Sequence, residues 1–344
     1  MNKSVLPVVP VLTLVFVLAA GVYASPMGTW TKYLGNPVLT PGPSGSWDDE
    51  DVFCVEVVHD GTLYRLWYTG QSQATQKSQI GYATSVNGTI WAKHSNNPVL
   101  QVGSEGSWDS QSTSAVAVIL DGSVWKMWYT GNGNGGTGIG YATSPDGVNW
   151  TKYDGNPVLS PGPPGNWDDG GVFAPYVMLK QGTYHMWYSG VSDSNIRIGY
   201  ATSADGIVWI KHSSNPVLDK GSSGTWDSLS VVSPSVVFMN GEYHMWYQGR
   251  TSSSSTIRES FGHATSSDGI SWTKDPSNPV LTPGPSGSWD AYNIHYPSVV
   301  YQGGLLRMWY HGFDVSDMSG GTAKIGYAEA YVTEYKVFLP IVVK

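Results

Sequence analysis

From residue 26 to residue 336, short apolar runs alternate with turns rich in Gly, Asn and Asp. In one stretch the runs read VFAPYVML, TYHMWYSG, IRIGYATS and IVWIKH. Their length and their β-branched and aromatic content predict strands. KQG separates the first two runs and ADG the last two, and other copies of the pattern carry DG or NG at these places. Gly and Asn tolerate positive φ, so these are hairpin turns between antiparallel strands. After the first two dozen residues no segment has helical periodicity.

The pattern is a repeat. NPVL begins at Asn36, Asn97, Asn156, Asn215 and Asn278, and WD at Trp47, Trp108, Trp167, Trp226 and Trp289. WY begins at Trp67, Trp128, Trp187, Trp246 and Trp309. GYATS begins at Gly81, Gly140 and Gly199, then returns as GHATS at Gly262 and GYAEA at Gly326. Five units of about sixty residues result, and NPVLTPGPSGSWD stands unchanged in the first and the last. Fifteen of the sixteen tryptophans fall in three columns of the repeat, Trp125 being the exception, so they read as packing residues. Four antiparallel strands repeated five times without helices predict an all-β fold. The expected form is a five-bladed β-propeller of four-stranded antiparallel blades over residues 25–336, with a solenoid as the alternative. GTWTKY, ahead of the first unit, matches a fourth strand and is a candidate to close the ring. VTEYKVF, at the other end, competes for that place and runs into a short apolar tail at residues 337–344.

Composition narrows the partners. Hydrophobic residues make up 40% of the chain, enough for a core. Lys and Arg total 18 against 26 Asp and Glu, a net charge of −8, which argues against nucleic acid or an anionic membrane. Residues 1–24 read as a secretory signal peptide, with Lys3, an apolar run from Val5 to Ala20, and Val22, Tyr23 and Ala24 before the cut. The run is shorter than the ~20 residues of a membrane span. The expected location is therefore extracellular, with no membrane contact after cleavage. The lone Cys54 allows no internal disulfide, and a monomer is expected.

With five units and phrases such as GTYHMWYSG, IGYATSPDGVNW and IGYATSADGIVW, the chain resembles the propellers of glycoside hydrolase families 43, 62, 32 and 68. It is also similar to the mannoside phosphorylases of family 130. The resemblance covers nearly all of residues 26–336. It implies a site at the channel mouth, on the innermost strands, with an Asp on blade 1, an Asp on blade 2 and a Glu on blade 3. Such carboxyl groups suit glycoside cleavage. The corresponding positions here are Cys54, Ala115 and Phe173, none of them acidic, and the inner strands carry no Arg or Lys to hold phosphate. Two functions stay open. One is a glycoside hydrolase-like enzyme working through rearranged acids. The other is a non-catalytic glycan-binding or protein-interaction propeller.

Residues shared by the units build the scaffold, and departures mark the candidate site. After each WD tryptophan the units read DDEDVFCVEVV, DSQSTSAVAVI, DDGGVFAPYVM, DSLSVVSPSVV and DAYNIHYPSVV. The first Asp is shared and reads as a brace. The departing acids are Asp49, Glu50, Asp51 and Glu56 in unit 1 and Asp169 in unit 3. Facing one channel, they would raise one another's pKa, act as an acid/base pair or hold a calcium ion, although no cofactor is required. Glu50, Asp51 and Asp169 are the candidate catalytic acids. Glu56 interrupts an apolar run, so it must meet a partner or line a water-filled channel. Three histidines also depart: His263 replaces the Tyr of GYATS, His295 lies on the last inner strand, and His311 follows MWY. Arg250 opens the longest hairpin insertion, which also holds Arg258 and Glu259. In a closed ring unit 5 adjoins unit 1, bringing Asn293 and His295 toward Asp49, Glu50 and Asp51. The expected ligand is an oligo- or polysaccharide, bound by Asp49, Glu56, Asn293, His295, His263, His311 and Arg250.

Overall fold

The computed structural model describes residues 28–251, 259–314 and 321–332. The expected signal segment, the apolar tail and Arg258 lie outside the described residues, as does most of VTEYKVF.

Twenty strands follow one another, and no helix occurs among the described residues. A two-residue strand, β1 (Thr31–Lys32), precedes the first unit. Unit 1 holds β2 (Asp51–His59), β3 (Tyr64–Gln71), β4 (Ser78–Ser85) and the short β5 (Ala92–Lys93). Unit 2 repeats the order with β6 (Ser112–Asp121), β7 (Val124–Gly133), β8 (Gly136–Ser144) and β9 (Thr151–Lys152). Unit 3 holds β10 (Gly171–Lys180), β11 (Thr183–Ser192), β12 (Asn195–Ser203) and β13 (Ile210–Lys211). Unit 4 holds β14 (Ser230–Met239), β15 (Glu242–Arg250), β16 (Glu259–Ser266) and β17 (Thr273–Lys274). Unit 5 has β18 (Asn293–Gln302), β19 (Leu305–Phe313) and β20 (Lys324–Tyr331). Its fourth strand is β1, which pairs antiparallel with β20 across nearly the whole sequence.

Strands within a unit are antiparallel. A single parallel bridge, Ser78 to Ser112, joins units 1 and 2 into one eight-stranded sheet, and Ile196 to Ser230 does the same for units 3 and 4. Unit 5 with β1 forms a four-stranded sheet. The inner strands β2, β6, β10, β14 and β18 lie side by side in that order, and β18 packs beside β2.

The repeated residues have repeated jobs. The Trp47 ring lies against Gly70 and Gly81, where an added Cβ would stand 2.5 and 2.7 Å from it. This accounts for the glycines of WYTG and GYATS. Trp67, Trp128, Trp187 and Trp309 are fully buried, and their indole N–H groups donate to carbonyls of the next unit's turn, at Gly147, Gly206, Gly269 and Gly88. Asn97 brackets Tyr82, accepting from its N–H at 2.8 Å and donating to its carbonyl at 3.0 Å, and the other NPVL asparagines repeat the grip. The first Asp after each repeat Trp is buried and ion-paired. Lys93 meets Asp48 at 2.6 Å while the Tyr68 hydroxyl donates to the same oxygen at 3.0 Å. Lys152–Asp109, Lys211–Asp168 and Lys274–Asp227 repeat this clamp. In unit 5 the partner of Asp290 is Lys32, from β1.

Candidate functional site

Each inner strand breaks register once, and the residue at the break has a left-handed backbone. These residues are Cys54, Ala115, Ala174, Ser233 and Tyr296, with φ between 43° and 54°. Such a conformation costs a non-glycine residue roughly 1 kcal/mol or more and persists only where packing over-determines it. Cys54, Ala115 and Ala174 form a buried cluster, with Phe53, Phe173 and Tyr296 packed against it. Only about 20 Å³ of space remains there. The inner-strand positions at which the resemblance implies acids are thus part of an apolar stopper across the channel. Burial pushes the Cys54 thiol pKa up, so no thiolate nucleophile forms.

On the side of the stopper where the inner strands begin, units 4 and 5 converge on Glu259, the first residue of β16 and only 6% exposed. His295 Nε2 lies 3.0 Å from Glu259 Oε2, and Arg250 Nε lies 3.4 Å from Oε1. Neither approach has the alignment of a hydrogen bond. The Gln248 side-chain amide donates to the same carboxylate. The Glu259 N–H donates to Asn293 Oδ1 at 2.8 Å, and Gln248 Oε1 accepts from the Tyr296 N–H at 3.3 Å. Behind His295, His311 packs edge-on at 5.0 Å and stacks against Tyr296. His311 Nδ1 accepts from the Cys54 N–H at 3.2 Å, so its proton sits on Nε2. Burial drives the His311 pKa well below its ordinary value. Burial pulls Glu259 upward, but His295, Arg250 and Gln248 outweigh it and hold the carboxyl below its usual range. The result is an ionised acceptor flanked by donors, with the Arg250 side chain 37% exposed at the rim.

The structure therefore brings together Arg250, Asn293, His295 and His311 among the predicted residues. It gives the others different surroundings. Asp49 accepts from the Gly45 and Gln73 N–H groups at 2.8 and 2.9 Å, bracing its loop. Those bonds, the one from Gln73 foremost, hold its pKa down. Asp169 does the same work for Gly165 at 2.7 Å. Glu50 accepts from the Gln76 side chain at 2.9 Å. Asp51 Oδ1 accepts from the Ala323 N–H at 2.6 Å and occupies the repeat column of Asn293, which grips Glu259 in the same way. Burial raises the Asp51 pKa, the Ala323 N–H opposes that rise, and neighbouring Glu50 adds to it. Glu56 lies beyond the stopper, toward the other end of the channel.

His263 corrects the sequence expectation most clearly. It is buried within unit 4, 3.1 Å from His244 and 3.3 Å from Asp275, with its ring against Trp246. It takes the place of a tyrosine that meets Arg65 in unit 1 and His185 in unit 3, so it is a packing residue. Among the described residues no three His, Cys, Asp or Glu side chains converge to hold a metal ion. Gln248, Glu259 and Tyr296 were missing from the predicted set. Gln248 was detectable as a departure, because its column otherwise reads Thr69, Thr130, Ser189 and His311.

No family model matches the chain. Over 223 residues it is 34% identical to the Uncharacterized protein Rv1502 of Mycobacterium tuberculosis, spanning 62% of this chain and 72% of that protein. The chain belongs to the Rv1502 family. This Rv1502-family chain is also 29% identical over 126 residues to the 1,2-beta-oligomannan phosphorylase of a Thermoanaerobacter species, spanning 33% of the chain and 42% of that enzyme. Solved structures share its fold at low identity. One is described under the GH130 family of mannoside phosphorylases, said to contain glycoside hydrolases that target β-1,2 mannosidic linkages in Candida mannan. It superposes with a TM-score of 0.69 at 17% identity, covering 93% of this chain and 98% of that one. A thermostable family-43 glycoside hydrolase gives 0.65 at 20% identity, covering 84% and 91%. A glycosyl hydrolase from Bacteroides ovatus gives 0.69 at 17% identity, covering 88% and 93%. The expected resemblance to the glycosidase propeller superfamily therefore holds. At these identities the structural likeness concerns the fold, while function must be argued from the site.

Proposed function

We propose that the chain is a monomeric five-bladed β-propeller that binds an oligo- or polysaccharide at the channel mouth, between units 4 and 5. The five Asp–Lys clamps and the adjacent inner strands β18 and β2 support five blades. The observation that carries the binding reading is the Arg250–Glu259–His295 cluster at the rim. Sugar hydroxyls donate and accept at once, and an ionised carboxylate flanked by N–H donors answers both demands.

Recognition fits this geometry better than cleavage. Glycoside hydrolysis uses two carboxyl groups astride the bond, one of them protonated. Here Glu259 is held ionised, and Cys54, Ala115 and Phe173 occupy the inner-strand positions that would supply the others. We further propose export through residues 1–24, for which the sequence pattern is the support; an intact mass beginning at Ser25 is the expected result.

Immobilised plant and microbial polysaccharides, β-1,2-mannan among them, provide the test. The wild type should bind saturably, and Glu259→Gln and His295→Ala should each weaken binding about tenfold or more, in line with loss of a charged hydrogen-bonding partner. Undiminished binding by both variants would remove the site. Release of sugar by the wild type, abolished in Glu259→Gln, would replace recognition with catalysis.

A further inference from the structure

The channel has a second end. Beyond the stopper the inner strands open into a funnel of about 580 Å³, a size typical of small-molecule sites. Most residues of its wall are apolar, Val118, Met178 and Val236 among them, while polar and apolar surface face the cavity in about equal shares. Leu120, Leu179 and Phe238 line its outer part, their surfaces 45%, 36% and 39% exposed. Trp125 and Tyr301 supply aromatic surface. At the floor, Glu56 and Tyr176 border both the funnel and the stopper.

Among the described residues, the lining holds carboxyl groups and no permanent cation. Its ionisable groups are Glu56, His59, Asp60, Tyr176 and Tyr301, with no Lys or Arg among the described residues that line it. The cations nearby are engaged elsewhere. Arg65 holds Asp60 at 2.5 Å, and Lys180 donates to the Tyr243 hydroxyl at 2.9 Å while lying over the outer Phe238 ring. Among the described residues, none pairs a cation with the Glu56 carboxyl.

Comparison of the units separates Glu56 from simple packing. Its repeat column reads Glu56, Ala117, Tyr176, Ser235 and Ser298. Ser235 accepts from the Val299 N–H at 3.0 Å and Ser298 from the Val57 N–H at 2.9 Å, each tying one inner strand to the next. Glu56 ties β2 to β6 through the Val118 N–H and accepts from the Ser298 hydroxyl at 3.1 Å. Serine performs that task in two other units without burying a carboxyl group. A buried carboxyl without a cation is costly, so the acid at this point exceeds what the scaffold requires.

We propose that the funnel is a second ligand site, taking a small organic cation: a primary ammonium on an apolar body, with the ammonium seated on Glu56. The apolar body would lie along Trp125 and the exposed leucines. The site is independent of the glycan reading, because the stopper separates the two ends. Binding also has a proton signature. Burial lifts the Glu56 pKa to about 8, with Ser298 and the Val118 N–H opposing. An ammonium ion must therefore displace a proton. The titratable group facing Glu56 from the other inner strands is Tyr176 of β10; β6 presents the Val118 N–H and β18 the Ser298 hydroxyl. His59 and Asp60 follow on its own strand.

Calorimetric titration of the full chain with benzylammonium, benzyl alcohol and benzoate tests this. Benzylammonium should bind saturably, at least about tenfold more tightly than either analogue. Its affinity should rise as pH climbs from about 6 to 8, with proton release. Glu56→Ser keeps the residue found in units 4 and 5, so it should stay folded and, near pH 8, melt no lower than the wild type while losing benzylammonium binding and its pH dependence. Glu56→Gln should lose binding likewise. Absence of benzylammonium binding, equal binding of benzoate, or wild-type binding by folded Glu56→Ser would each overturn the proposal.

Discussion

The clamps and the mouth obey opposite rules. At the clamps the same three side chains meet five times, and the Lys–Asp distances stay between 2.5 and 2.6 Å in every unit. At the mouth the units contribute different residues. Unit 4 offers Gln248, Arg250 and Glu259, unit 5 offers His295 and His311, and unit 1 offers Cys54 and Phe53. The difference follows from symmetry. Every unit must attach to its neighbours, so attachment residues repeat. One ligand contacts only part of a ring, so recognition residues are free to differ.

Breaking a clamp should produce the largest effect. Asp290→Ala strands the Lys32 ammonium and the Tyr310 hydroxyl at the junction of the two chain ends. Removing one partner of a buried pair costs about 3–5 kcal/mol, and denaturant unfolding should register most of that. A loss no larger than that of a surface substitution would mean that the clamp is ornamental.

Glu56 sharpens the comparison from the other side, as a departure buried inside the scaffold. Its pKa is raised from 4.5 to about 8 by burial. The native state therefore keeps a proton that the unfolded chain releases above about pH 4.5. The stability this confers is complete below pH 4.5 and is lost as pH rises toward 8, a decline on the order of a few kcal/mol. Glu56→Ser should flatten that part of the stability curve and melt higher than the wild type at pH 9. A wild-type curve without this decline would contradict the assignment.

Effects at the mouth should be smaller and confined to binding. Glu259→Gln should reduce glycan affinity about tenfold while shifting the melting temperature less than Asp290→Ala does. The smallest change belongs to Asp49→Asn. Its carboxylate braces a surface loop, so glycan affinity should equal that of the wild type. An affinity loss matching that of Glu259→Gln would move the mouth toward unit 1.

The scaffold was legible because its residues recur. Each Trp, Asn and Asp column points to one contact, and the structure supplies that contact unit after unit. The candidate site was legible only in part. His295 and His311 stood out as departures, Arg250 by its insertion and Asn293 by the expected closure of the ring, and all four converge. Glu259 was visible in the long insertion but not as a site residue, because its partners come from other strands and from another unit, a proximity that linear spacing does not carry. Asp49 and Asp169 misled in the opposite direction. Their column also holds Ser110 and Ser228, residues suited to capping loop N–H groups, and an acid does that work equally well. His263 misled because a histidine replaced a tyrosine within a packing pair, a change of residue without a change of place.

The pairing of β1 with β20 also sets a schedule. Thr31 finds its partner, Glu329, almost three hundred residues later. At translation speeds of about 5–20 residues per second, the first strand is without its partner for roughly 15–60 s. During that interval the apolar face of Trp30 has no sheet to join, and the earlier units must hold their shape without a sealed seam. A circular permutant opened at a later NPVL linker would make β20 and β1 neighbours in sequence and hand the wait to a different pair of strands.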